Sequence, residues 1–191
     1  SIECAAESSR FSGVADSSHA ALVVAHVRQR TVGETSLANT HPFRRGRHVL
    51  AHNGTVEAVS WLLARTSRER LLEIEGETDS ERLFAFLMTR VDETGSIDDG
   101  VRRATCELRA HDRIGTVNFL FSDGVTLFAF RRGRGLFFLD RTPSAAPRTR
   151  RTPSIVIASE PLTSERWNEL SDGALLRVGV GAAASDRKSV V

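Results

Sequence analysis

No stretch of this chain is apolar for long enough to cross a bilayer, and its opening, S-I-E-C-A-A-E, has neither the basic nor the apolar region of a secretory signal. No membrane is expected, and the cytoplasm is the expected location. Cysteine is scarce: Cys4 and Cys106 alone give neither a disulfide framework nor a metal-binding spacing, which suits a reducing compartment. No metal and no cofactor are expected. Charge of one sign is lacking too, since the formal net charge is +2, so no global field points to nucleic acid or to an anionic surface. Methionine is nearly absent, with Met88 alone, and the chain begins at Ser1, which implies processing or a fragment.

What is present suffices for one domain: 191 residues, 40% of them hydrophobic, can bury a single substantial core. Ala20 to Arg28 (A-A-L-V-V-A-H-V-R) is a continuous apolar run with β-branched residues, as expected of a strand covered on both faces. His48 to His52 reads as a short strand ended by a tight turn at Asn53-Gly54, where backbone N–H groups can be exposed. Val56, Val59 and Leu63 recur at helical spacing. A second helix opens on Thr78-Asp79-Ser80-Glu81 as a capping box and carries Leu83, Phe84, Leu87, Met88 and Val91 on one face. Ile97, Val101, Ala104 and Leu108 mark a third, packed antiparallel to the second.

From Thr116 the period changes from helical to alternating. V-N-F-L-F-S and V-T-L-F-A-F-R flank Asp123-Gly124 as a hairpin, and strands follow at Gly135 to Leu139, Ser154 to Ala158 and Ala174 to Val178. The arginine- and proline-containing stretch R-T-P-S-A-A-P-R-T-R-R-T-P reads as an exposed loop, and residues 181–191 as a disordered tail behind a domain of residues 1–180. Strands, paired helices and more strands make an α+β fold, with helix layers packed on stacked sheets.

Taken singly, the polar residues have plain readings. An arginine such as Arg28 at a strand end is ordinarily solvated or ion-paired, Asp79 is a first-turn charge favoured by the helix dipole, and Asn-Gly is ordinarily a turn. His26, His41 and His52 lack the companion ligands of a metal site and read as core or hydrogen-bonding residues. Cys106 reads as a small core residue. Arg131, Arg132, Arg134, Arg148, Arg150 and Arg151 could meet phosphates, but without aromatic platforms they read as solvated surface. Nucleic acid is not the expected partner.

Taken in order, H-V-R-Q-R-T-V-G-E, N-T-H-P-F, A-H-N-G-T-V, G-E-T-D-S-E, V-N-F-L-F-S-D-G and A-S-E-P-L-T resemble the class II glutamine amidotransferase domain. The resemblance is closest to stand-alone members such as the γ-glutamyl hydrolases of the ergothioneine pathway. It implies a four-layer αββα sandwich of the N-terminal-nucleophile hydrolase type. It also implies a cysteine thiolate that attacks the side-chain amide of glutamine, with the α-amino group of the chain as base and a γ-glutamyl thioester between. Arg28 then holds the substrate α-carboxylate through a planar, two-pronged guanidinium, and Asp79 receives the α-amino group. Asn53, through its side-chain amide, and Gly54, through its backbone N–H, form the oxyanion hole. His41 with Pro42 shapes the loop beneath the substrate.

The start departs from that pattern. In such domains several strands precede the H-V-R motif, whereas 25 residues precede His26 here, and neither Cys4 nor Ser1 begins a credible buried strand. The expectation is an N-terminally incomplete domain that holds glutamine or a γ-glutamyl compound but lacks its nucleophile. Two readings remain open, an amidohydrolase and a non-enzymatic ligand- or partner-binding module. Simple hydrolysis is expected over ammonia delivery, with an acceptor subunit left open.

Overall fold

Four phenylalanines set the layering. In the computed structural model, which describes residues 13, 20–26, 38–141, 154–179 and 188–190, they stand on two adjacent strands. The elements run β1 (Phe43–Arg45), β2 (His48–Val56), α1 (Val59–Leu63), α2 (Arg68–Leu71), α3 (Asp79–Thr94), α4 (Ile97–Ala110), β3 (Gly115–Ser122), β4 (Thr126–Phe130), β5 (Phe137–Asp140), β6 (Ile155–Ala158), β7 (Asn168–Glu169), β8 (Leu175–Gly179) and β9 (Lys188–Val190). Side chains alternate across a strand, so Phe119 and Phe121 on β3 and Phe128 and Phe130 on β4 share one face, and Leu120 and Ala129 take the other.

That alternation separates two cores. The phenylalanine face packs under α3 and α4 with Leu50, Leu83, Phe84, Phe86, Leu87, Val101 and Leu108. The opposite face packs on a second sheet through Leu136, Phe138, Leu170 and Leu176. The first sheet has the order β1-β2-β3-β4-β8-β9 and the second β6-β5-β7, all neighbours antiparallel. Helix pair, six-stranded sheet and three-stranded sheet thus lie in succession.

Local chemistry explains the joints. The hairpin between β3 and β4 closes because the Asp123 carboxylate accepts from Val125 and Thr126 N–H, at 3.0 and 2.8 Å, and Ser122 Oγ accepts from Gly124. Thr78 caps α3 by accepting from Glu81 N–H at 3.2 Å. The reciprocal half of the expected capping box is not formed. The Glu81 carboxylate instead accepts from Glu75 N–H at 2.9 Å, Gly76 N–H at 2.6 Å and the Arg45 guanidinium, tying three segments together. At Gly100 a methyl group would sit 2.5 Å from Val91 Cα, so the glycine lets α4 press against α3.

Three further sequence expectations change. Residues 20–26 adopt no strand, and Val23 is 67% exposed; no described strand pairs beyond β1 to satisfy such a backbone. The strand at His48 does not turn at Asn53-Gly54. It runs on to Val56, because β3 supplies a partner at every step, Asn53 opposite Asn118 and Gly54 opposite Val117. From the expected tail, Lys188–Val190 returns as β9 beside β8.

Candidate active site

The second half of β2 supplies the polar centre. Glu57 donates to Ile114 O at 3.0 Å, and antiparallel bonding alternates along the ladder, so Asn53 and Thr55 occupy bonded positions and Gly54 an unbonded one. The Gly54 N–H therefore points away from β3, toward the edge that β1 leaves open beyond Leu50. Val56, two residues on, points the same way, and its N–H donates to Asp79 Oδ2 at 2.6 Å. Gly54 must be glycine for a steric reason. A Cβ there would lie 2.0 Å from the carbonyl oxygen of Thr116.

Asp79 opens α3 and is only half buried. Its Oδ1 accepts from Ser80 N–H at 2.9 Å, which leaves lone pairs on both oxygens for a further donor. Gly54 and Val56 are separated by roughly 7 Å of strand.

His52 lies beneath. It is 2% exposed, and since Thr116 O can only accept, Nε2 carries the proton toward it at 3.4 Å while Nδ1 accepts from the Ser80 hydroxyl at 2.8 Å. Burial pushes its pKa down to about 4, against the opposing pull of Asp79. At neutral pH this imidazole is uncharged and serves as a strut between β2, β3 and α3.

On the opposite face of β2, Asn53 is half buried, and its Oδ1 accepts from Arg134 Nη1 at 3.3 Å. Its cross-strand partner Asn118 is buried. Asn118 donates to the carbonyls of Arg134 and Gly135, each at 3.0 Å, and accepts from Arg132 N–H at 2.8 Å. The N-T-H-P-F segment is fixed by Asn39, whose Oδ1 accepts from Glu77 N–H at 2.9 Å, and the His41 ring sits between those of His26 and Phe43, at 4.3 and 4.6 Å.

Of the residues anticipated from sequence, Asn53, Gly54 and Asp79 gather around the end of β2. Arg28, Cys4 and Ser1 lie outside the described residues, as do Arg148, Arg150 and Arg151. Cys106 is exposed on α4 rather than in the core, with Arg109 donating to its sulfur at 3.1 Å. Arg131 and Arg132 spend donors on main-chain carbonyls of Leu170, Arg109 and His111, which removes them from any free phosphate-binding patch. Among the described residues no three His, Cys, Asp or Glu side chains gather as a metal site, and no helix is long and apolar enough to cross a membrane.

Sequence reasoning read Arg134 as solvated surface, where the structure sets it against Asn53, and missed the specific duty of Asn118. The signal for Asn118 was an amide inside the apolar run V-N-F-L-F. For Arg134 there was none, because its partner lies 81 residues away.

An edge-facing strand N–H, a neighbouring side-chain amide and a carboxylate held two residues along thus stand together on an α+β sandwich. The sequence pattern of the class II glutamine amidotransferases matches residues 3–190, and the chain belongs to that family. It is 32% identical over 184 residues to MJ1515 of Methanocaldococcus jannaschii, covering 81% of this chain and 49% of that protein. It is 31% identical over 175 residues to YafJ of Escherichia coli K12, assigned by name to the glutamine amidotransferases, covering 79% and 67%. The chain therefore spans about half the length of the first relative and two thirds of the second. A crystal structure of a Pseudomonas aeruginosa protein assigned to the glutamine amidotransferases superimposes with a TM-score of 0.60 at 28% identity, over 76% of this chain and 64% of that one. A PRPP amidotransferase of Bacillus subtilis, 16% identical with a TM-score of 0.58, shares the fold alone. The α+β fold is thus shared with solved amidotransferase structures.

Proposed function

We propose that this chain forms the glutaminase-type site of a class II amidotransferase, cleaving the side-chain amide of glutamine or of a γ-glutamyl compound. The observation that carries the reading is the edge of β2, where the Gly54 N–H faces outward and Asp79 is bound to Val56 two residues further on. A carbonyl oxygen at Gly54 and Asn53 and an α-amine at Asp79 fit one extended glutamine. Arg28 is assigned to the α-carboxylate.

In the reaction a cysteine thiolate adds to the amide carbon, the negative charge moves to oxygen, and Asn53 and Gly54 donate to it. The C–N bond then breaks, the α-amino group of the chain passes the proton it took from the thiol to the leaving nitrogen, ammonia departs, and water hydrolyses the thioester to glutamate and the free thiol. His52 takes no proton in this scheme, since burial keeps it neutral near neutral pH. Water is the proposed acceptor in place of a partner subunit.

A second reading is a glutamine-binding module without turnover, since the Gly54 N–H and the Asp79 carboxylate would hold a ligand whether or not a thiol attacks it. Glutamate release from glutamine, measured beside calorimetric titration, separates the two. Turnover lost in Cys4→Ala supports hydrolysis by this chain, and binding without turnover supports the module. No binding in either assay sinks both.

A further inference from the structure

We propose that Arg134 is a positioning residue of the oxyanion hole, orienting the side-chain amide of Asn53 and adding positive charge beside it. The inference rests on the assignment of Asn53 made above. An asparagine amide can face either way, and only its NH2 end can donate to an oxyanion. Arg134 has donors and no acceptors. The Asn53 atom it meets at 3.3 Å must therefore be the oxygen, which turns Nδ2 toward the other side.

The arginine is delivered by a turn that is fastened at many points. Asn118 holds the carbonyls of Arg134 and Gly135, and its Oδ1 holds Arg132 N–H. Arg131 Nε donates to Arg134 O at 2.8 Å, Val117 N–H to Arg132 O at 2.8 Å, and Gly133 N–H to Asp172 Oδ1 at 2.7 Å. Gly133 takes φ +93° and lies so close over Thr116 that a Cβ would meet its methyl at 2.8 Å. Asn118 is also the residue directly opposite Asn53. One amide of β3 thereby fixes the turn, and the turn fixes the amide of β2.

The charge of Arg134 is unspent. Among the described ion pairs none takes Arg134, whereas Arg131, three residues earlier, is paired with Glu169 at 2.8 Å. An uncompensated guanidinium against Asn53 Oδ1 polarises the amide and strengthens its N–H donors. It would also stabilise negative charge as it forms, and this favours kcat rather than substrate affinity.

The test pairs a spectroscopic readout with kinetics on Arg134→Ala, Arg134→Lys and the exposed control Arg113→Ala. In the 15N-labelled chain the Asn53 side-chain amide should shift and lose order in Arg134→Ala, recover in part in Arg134→Lys and stay unchanged in Arg113→Ala. With glutamine, Arg134→Ala should lower kcat about tenfold with KM within twofold, a smaller loss than removal of a donor itself. An unaltered Asn53 amide overturns the proposal, as does a raised KM at constant kcat, which would make Arg134 a substrate contact. If the parent chain neither binds nor hydrolyses glutamine, the functional reading falls, while the amide resonance still decides what Arg134 does.

Discussion

The two ends of α3 carry charge for different purposes. At the C-terminal end Arg90, whose side chain is 6% exposed, is closed on every side: Nε and Nη2 bond the Glu107 carboxylate at 2.7 and 2.9 Å, and Nη1 reaches Glu93 and Arg65 O, both at 3.1 Å. Its guanidinium also lies 4.7 Å from the Phe86 ring centroid. At the N-terminal end Asp79 holds Val56 N–H and Ser80 N–H, yet it stays half open to solvent. A charge satisfied on all sides is architecture; a carboxylate held at an open strand edge keeps lone pairs for a further donor.

The largest expected effect tests the architectural end. Arg90→Ala removes the two-pronged partner of Glu107 and the clamp between α3 and α4, and should cost about 3 kcal/mol of unfolding free energy by urea titration, the low end for a buried pair because Glu107 is partly exposed. Burial alone pushes the Glu107 pKa up, but the Arg90 bonds outweigh it and hold the carboxyl below its usual range. Arg90→Lys should recover only part, since an ammonium cannot reproduce the fork. A loss below about 1 kcal/mol would erase the contrast between the two ends.

Next comes His52, which joins the N-terminal end to the sheet through Ser80. Its folded pKa, about 4, lies below the unfolded value of 6.5, so between those values the unfolded chain binds the extra proton. The stability from a neutral His52 is therefore complete above pH 6.5 and is lost as the pH falls toward 4. The full loss is up to about 3 kcal/mol. Comparing the pH dependence of unfolding in the parent and in His52→Gln should show this acid limb flattened in the variant. Equal slopes would remove His52 from the account.

Much of this was legible in the sequence, and the exceptions share a cause. Helices α3 and α4 and the β3–β4 hairpin follow from periodicity and turn chemistry, because Leu83, Leu87, Val101 and Phe121 report their own local period. Asn53-Gly54 was misread as a turn because a dipeptide carries only its tolerance for turning. The partner that holds it extended, Asn118-Val117, lies some 65 positions later in the chain. The same holds for Glu81, whose spacing from Thr78 fits a capping box but whose carboxylate is claimed by Arg45, Glu75 and Gly76. Asn53, Gly54 and Asp79 are assigned through a six-motif order. Arg134 lies outside those motifs and needed the fold.

The smallest expected change in stability belongs to Asp79→Asn, and there the comparison is sharpest. The asparagine oxygen can still accept from Val56 N–H, but its NH2 replaces the oxygen that accepts from Ser80 N–H, so the variant gives up that bond and a first-turn charge, about 1 to 2 kcal/mol together. Its effect on ligand should be the reverse of that of Arg90→Ala. A carboxylate bound to an ammonium is a charge-assisted pair, and replacing it by a neutral amide should weaken glutamine binding by about 10- to 100-fold in calorimetry. Arg90→Ala, wherever it remains folded, should leave that affinity within twofold. If instead Asp79→Asn unfolds the chain readily and the folded fraction binds glutamine as before, Asp79 is a strut of the same kind as Arg90. The edge of β2 would then have to recognise an α-amine by some other group, or not recognise one at all.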